Sequence, residues 1–108
     1  MQELCPKFEK AMQLFGKRWV GLILFELLEG SKRFSEMETD LPISGRLLSD
    51  RLKMLEQEQI VERKIYSEFP VRIEYQLTDK GKALKPVIKE IQSWSENWVT
   101  AEELENNV

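Results

Sequence analysis

Leu48, Leu52 and Leu55 return at steps of four and three, while Arg46, Ser49, Asp50 and Lys53 recur at similar steps on the other side. That pattern predicts an amphipathic helix over 44–58, one side made to lie on a core and the other carrying polar and charged groups. After it, Ile60 to Tyr66 and Arg72 to Leu77 are rich in β-branched and aromatic residues and are separated by Ser67 to Val71, which predicts a β-hairpin. Before it, Trp19 to Leu28 is apolar nearly all round and reads as the central core helix, ended by Gly30. Ser35-Glu36-Met37-Glu38 has the form of a capping box, with Ser35 as N-cap and Glu38 reaching back. The short helix it starts is expected to stop before Pro42.

The two ends carry helical patterns as well. Cys5-Pro6 opens a first helix with Phe8, Met12 and Phe15 on or near one face, and Gly16 is expected to close it with left-handed geometry. Thr78 is the expected N-cap of the last helix, whose apolar positions Leu84, Val87, Ile91, Trp94 and Trp98 alternate steps of three and four. Pro86, inside that pattern, should kink the helix or mark an early break. Residues 1–4 and 99–108 are expected to be flexible termini around a single domain, 5–98. The fold class is mainly α with a small β-hairpin: a short helix, a turn at Ile43, an amphipathic helix and a hairpin follow the chain order of a winged helix-turn-helix.

Composition narrows the function. With 42% hydrophobic and 32% charged residues the chain is an ordinary globular one, and no apolar run approaches the ~18 residues of a membrane span. The N-terminus lacks a signal-peptide layout, so a cytoplasmic protein is expected. One cysteine excludes an intrachain disulfide, and with no histidine, zinc-finger ligation and histidine-based catalysis are excluded too. There are no paired catalytic carboxylates in a recognisable setting, no glycine-rich phosphate loop and no nucleophile with a base. The expectation is a protein without enzymatic activity, metal or cofactor.

The net charge of −3 gives DNA binding no general support, so the positive charge would have to be local. In a winged helix the amphipathic helix enters the major groove and the hairpin follows the neighbouring backbone. On that reading Ser44, Arg46, Ser49, Asp50 and Lys53 face bases and phosphates, and Lys32, Arg33, Lys64 and Arg72 hold the backbone. Arg51 projects beside the core stripe, where an ion pair with a glutamate competes with a phosphate contact. The bland alternative is a solvated helix face, and the rival function is a winged-helix module that binds protein. The seam of the last helix ends in two tryptophans, a large apolar area for a small domain to cover alone, which points to a homodimer contact made together with Phe8 and Met12. A two-fold dimer would space its reading helices by about 34 Å, one DNA turn, to match a palindromic site. Cys5 reads either as a small buried hydrophobe or as a reactive thiol at a helix N-terminus near Lys7 and Lys10.

With these residues in hand, the chain resembles the HxlR family of bacterial winged-helix transcriptional regulators, related to the MarR group. CPKFEKAMQLFGKRW resembles the family's opening, RFSEMETDLP its Arg-Phe-x-Glu-Leu…Pro segment, and LLSDRLKMLEQEQIVER its Leu-x-x-Arg-Leu-x-x-Leu-Glu helix and following strand. EFPVRIEYQLTDKGKAL resembles the Pro-x-(Arg/Lys)-(Val/Ile)-x-Tyr-x-Leu-Thr-x-x-Gly wing and last helix. The resemblance implies a homodimeric regulator, here expected to be a repressor, binding double-stranded DNA through a palindromic operator, with dimer contacts from the first and last helices. It also implies that Cys5, on the position where several members sense quinones, aldehydes or disulfide stress, is open to oxidation or to a small electrophile or thiol. The sequence departs from the family in two places. The extra residue, often glycine, between Leu-Pro and Ile-Ser is absent, and so is the second, C-terminal cysteine of some redox-sensing relatives. The second absence favours an adduct or mixed disulfide over a cysteine–cysteine bridge between subunits.

Overall fold

The amphipathic stretch forms helix α4, Gly45–Gln57, and everything else is placed around its buried side, Leu48, Leu52 and Leu55. The structure is a computed structural model that describes residues 5–106. The other helices and strands are α1 (Pro6–Gly16), α2 (Val20–Leu27), α3 (Phe34–Asp40), β1 (Val61–Tyr66), β2 (Arg72–Leu77), α5 (Asp79–Lys82), α6 (Lys85–Trp98) and α7 (Ala101–Asn106). Residues 1–4, for which a loose terminus was expected, lie outside the described part.

The core is built from Val20, Ile23, Leu24 and Leu27 of α2, Met37 of α3, the three leucines of α4, and Ile60, Val61 and Leu77 at the base of the hairpin. Leu41 and Ile43 anchor the turn between α3 and α4 in it, while Pro42 between them stays exposed. β1 and β2 pair antiparallel from Val61 opposite Leu77 to Tyr66 opposite Arg72. Lys32 adds a short third rung: its N–H donates to the Tyr75 carbonyl at 2.9 Å and its carbonyl accepts from the Tyr75 N–H at 2.8 Å.

Several boundaries differ from the expected ones, each for a local reason. The short helix α3 starts at Phe34, with Arg33 as the extended N-cap residue, and the Glu36 carboxylate accepts from the Arg33 N–H at 2.9 Å. Ser35 is therefore inside the helix, and its carbonyl accepts from the Thr39 hydroxyl at 3.0 Å. Both members of the expected box, Ser35 and Glu38, are thus replaced by residues two positions earlier, Arg33 and Glu36. Gly16 does not take the left-handed conformation. Trp19 does, at φ 79°, a strained angle for so large a side chain. Arg18 lays its guanidinium 4.9 Å from the Trp19 ring centroid, and its carbonyl accepts from Arg51 Nε at 2.9 Å, so the joint is tied to α4. The other end of α4 also departs from glycine usage: Gln59 has φ 60°, and the Ile60 N–H reaches the Leu55 carbonyl at 2.9 Å.

Helix α2 is the core helix but is not buried all round, since Leu22 and Phe25 are exposed. Thr78 caps a short helix, accepting from the Gly81 N–H at 3.1 Å. The pattern expected as one last helix is split in two, and Pro86 stands in the first turn of α6, where it breaks no backbone bond. Beyond α6 the expected frayed tail instead forms α7, with the Thr100 hydroxyl accepting from the Glu103 N–H at 3.1 Å.

One ionic cluster ties the hairpin to the helices. Lys32 Nζ lies 3.2 Å from Glu26 on α2 and 3.2 Å from Asp40 at the end of α3. Hydrogen bonds to Asp40 and then to Glu26 raise the Lys32 ammonium above its ordinary 10.5, and the bond from Lys32 lowers the Asp40 carboxyl below its ordinary 3.8. A lowered carboxyl contributes stability that is complete above 3.8 and is lost as pH falls through the lowered value. Asp40→Asn should therefore unfold at lower urea concentration than the parent at about pH 6, with the two midpoints converging towards about pH 2.

Candidate nucleic-acid face and thiol

Ser44 sets the start of the reading helix. Its side chain accepts from the Leu47 N–H at 3.2 Å, a cap typically worth about 1 kcal/mol. With α4 started there and its leucines buried, Arg46, Ser49, Asp50 and Lys53 all come out exposed on the opposite side. The missing residue before Ile43-Ser44 has not displaced the cap. Arg33, at the head of α3, lines a groove of about 480 Å³ together with the hairpin tip, Glu68 to Ile73. Lys64 is exposed on β1. Arg33, Arg46, Lys53 and Lys64 make no ion pair with any described residue.

Three other expected phosphate contacts are already engaged. Lys32 is held by Glu26 and Asp40, with only 19% of its side chain exposed, so it is a structural cation. Arg51 donates to the Arg18 carbonyl and has Asp50 at 3.8 Å; its partner is a backbone oxygen, not the glutamate considered above. Arg72 sits 3.3 Å from Glu68 and 3.0 Å from Glu74, with its guanidinium 4.4 Å from the Tyr66 ring centroid. Two carboxylates cancel its charge before any phosphate arrives. Sequence spacing could not show that Lys32 and Arg51 were engaged, because their partners come from other elements; the partners of Arg72, four residues before it and two after it, lie close in sequence.

The opposite side of the molecule is apolar. Phe8 and Met12 on α1 are exposed, and α1 buries no residue of its own. On α6 only Ile88 is buried, while Val87, Ile91, Trp94 and Trp98 are exposed, the two tryptophans at 61% and 68%. Leu84 leaves the expected seam: it precedes α6, half-buried against the core. Sequence reading missed the part of α2. Leu22 and Phe25 line a groove of about 350 Å³ with Ile88 and Ile91, continuous with the α6 seam. The signal was present in the all-round apolarity of α2, which one small core cannot cover. The radius of gyration, 15.9 Å, exceeds the roughly 13 Å of a compact chain this long, as fits helices that lack a partner surface.

Cys5 is exposed and is the N-cap residue of α1, in extended conformation, with its carbonyl accepting from the Glu9 N–H at 2.9 Å. Within one chain Cys5 is therefore not packed into the core. Its spacing of three and then four to Phe8 and Met12 puts it in line with the apolar side of α1. Among the described residues no group of histidine, cysteine and carboxylates is arranged to hold a metal, and no helix is long and apolar enough to cross a membrane.

A short helix, a turn, a second helix with a polar outer side and a hairpin, in that order, is the architecture of a winged helix-turn-helix transcriptional regulator. The chain belongs to the HxlR-like helix-turn-helix family, whose model matches residues 14–103. It is 59% identical to the HTH-type transcriptional regulator YvaP of Bacillus subtilis strain 168, over 90% of this chain and 91% of YvaP. It is 49% identical to the HTH-type transcriptional regulator YodB of the same strain, over 88% of this chain and 86% of YodB. The reduced form of YodB superimposes with a TM-score of 0.79, covering 90% of this chain and 96% of that one. The diamide-treated and quinone-bound forms of YodB each superimpose with a TM-score of 0.74, at 48% and 47% identity; the first pair covers 92% of this chain and 99% of YodB, the second 88% and 100%. The oxidised form of the redox regulator HypR, 33% identical, gives 0.83 over 90% of this chain and all of HypR.

Proposed function

We propose that the protein is a homodimeric repressor that binds a palindromic operator, and that modification of Cys5 by an electrophile or oxidant controls its hold on DNA. The observation that carries the reading is the division of the surface. Arg46 and Lys53, free of ion pairs with any described residue, lie with Ser49 and Asp50 on the polar side of α4, away from its buried leucines, and an uncovered apolar seam lies on α1, α2 and α6. Two seams pressed together about a two-fold axis present both reading helices to one side of a DNA duplex.

Arg46 reads a base, with Ser49, Asp50 and Lys53 beside it, and Ser44, Arg33 and Lys64 hold the backbone. Arg46→Ala is then expected to cost about 1–3 kcal/mol and to relax preference at one base position, whereas Lys64→Ala weakens all sequences alike. Fluorescence anisotropy on an operator and its single-base variants separates the two. An unchanged affinity and base preference for Arg46→Ala would place the reading contact elsewhere.

Cys5 is exposed, in line with Phe8 and Met12, and two relatives have structures described as quinone-bound, diamide-treated or oxidised. With a quinone, the Cys5 sulfur bonds to a ring carbon, the thiol proton goes to one ring oxygen and the hydrogen of the attacked carbon moves to the other, leaving a thioether on a hydroquinone. With diamide and a small thiol, the two sulfurs join as a mixed disulfide and diamide takes up the two hydrogens. Either product enlarges the seam side of α1. From there α1 reaches the reading helix through the bond between Arg51 and the Arg18 carbonyl.

The deciding experiment retains fragments of the source genome on reduced protein and on protein treated with quinone or diamide, in parallel with Cys5→Ser. Fragments sharing a palindrome should be enriched by the reduced protein, lost after treatment, and kept by treated Cys5→Ser. Equal enrichment before and after treatment would reduce Cys5 to a structural residue. No enrichment at all would remove the operator reading.

A further inference from the structure

Between α1, the end of α4 and α5 lies a cavity of about 240 Å³ that belongs neither to the polar face of α4 nor to the apolar seam. Its floor is apolar, made by Leu14, Phe15, Ile60 and Leu84, all buried or half-buried. Its rim carries Lys7, Lys10 and Lys80 against a single carboxylate, Glu58. Lys10 Nζ is 3.3 Å from that carboxylate, and Lys80 Nζ donates to the Glu58 backbone carbonyl at 2.8 Å. Lys7 pairs with no described carboxylate. Phe8 and Met12, the exposed apolar residues of α1, are not among its lining residues.

We propose that this cavity binds a small amphipathic anion, an aromatic or aliphatic monocarboxylate, with its apolar body on the floor and its carboxylate among the three lysines. A neutral apolar molecule would gain nothing from the rim, and a polyanion would desolvate against the floor and meet Glu58. The monocarboxylate satisfies both parts. It also competes with Glu58 on two counts, for Lys10 at the side chain and for Lys80 at the carbonyl. Glu58 follows directly on the last turn of α4. Occupancy therefore frees the C-terminal end of the reading helix from its two lysine ties, on a side of α1 that Cys5 does not line.

The test is an NMR titration of the reduced protein with 2-naphthoate, beside neutral 2-naphthamide, and of the Lys7→Gln/Lys80→Gln variant with both. No DNA is present, so the result does not depend on the operator reading. Saturating amide shifts at Leu14, Phe15, Ile60 and Leu84, with a further shift at Glu58, are expected for naphthoate. Naphthamide should bind about tenfold more weakly, the scale of a lost charge-assisted contact. The double variant should hold naphthoate about tenfold more weakly than the parent does while binding naphthamide as the parent does, which also reports that its floor is intact. Equal binding of acid and amide, shifts confined to Leu22, Phe25 and Ile91, or no saturation would overturn the proposal.

Discussion

Changing Trp94 and Trp98 together to glutamate is expected to leave a folded monomer at micromolar concentration and to lower operator affinity at least about a hundredfold. Both side chains are more than half exposed and take no part in the core, so the fold should barely notice the change. In the proposed dimer their weight falls on the contact between copies. An aromatic anchor at the centre of an interface is worth about 2–4 kcal/mol, and a two-fold dimer contains each anchor twice. Two such anchors outweigh any rim contact on the seam, and a lone winged helix then meets only half of a palindrome. Sedimentation equilibrium and anisotropy on the same samples check both parts. A double variant that still sediments as a dimer would move the interface off α6.

Gly81→Ala should be the most damaging single methyl in the molecule. Gly81 lies within α5 at negative φ, so backbone freedom does not explain the glycine, and by helix propensity alone alanine would gain about 1 kcal/mol. Space decides the other way. A Cβ there would run into the carbonyl oxygen of Ile60, and it would lie 3.1 Å from Leu77 Cδ2. The Ile60 carbonyl also accepts from the Thr78 N–H at 3.0 Å, and the Thr78 hydroxyl holds the neighbouring Gln59 carbonyl at 2.6 Å, so it has little room to retreat. Overpacking against fixed backbone costs about 1–3 kcal/mol, and here the upper end is expected, against a gain of about 1. Urea unfolding of Gly81→Ala beside Gly16→Ala, a position with open space around it, isolates the effect. Equal midpoints would mean that the hairpin base yields.

Periodicity was enough to place α4 and the hairpin, because a leucine stripe and a β-branched run each depend on neighbours close in sequence. What sequence could not supply were pairings across elements. Arg51 stands beside the core stripe of α4, yet its partner is the Arg18 carbonyl from the joint before α2. Lys32 and Arg33 are adjacent, yet one is held by two carboxylates and the other lines the groove at the hairpin tip. Trp19 was legible as apolar but not as the residue carrying positive φ, since glycine was available three positions earlier. The candidate thiol needed only its place before Pro6; that it is exposed and not packed away is a fact of the fold.

The alignment of Cys5 with Phe8 and Met12 has a thermodynamic corollary. Association of two copies and reversible capping of the thiol are linked equilibria. By whatever factor a cap shifts the dimerisation constant, dimerisation shifts the capping constant by the same factor. If the cap loosens the dimer, dilute protein takes it up more readily than concentrated protein, and DNA, by holding two copies together, shields the thiol. The set point of the sensor would then be a property of how much regulator the cell contains and how much of it is on DNA, and not of the sulfur alone.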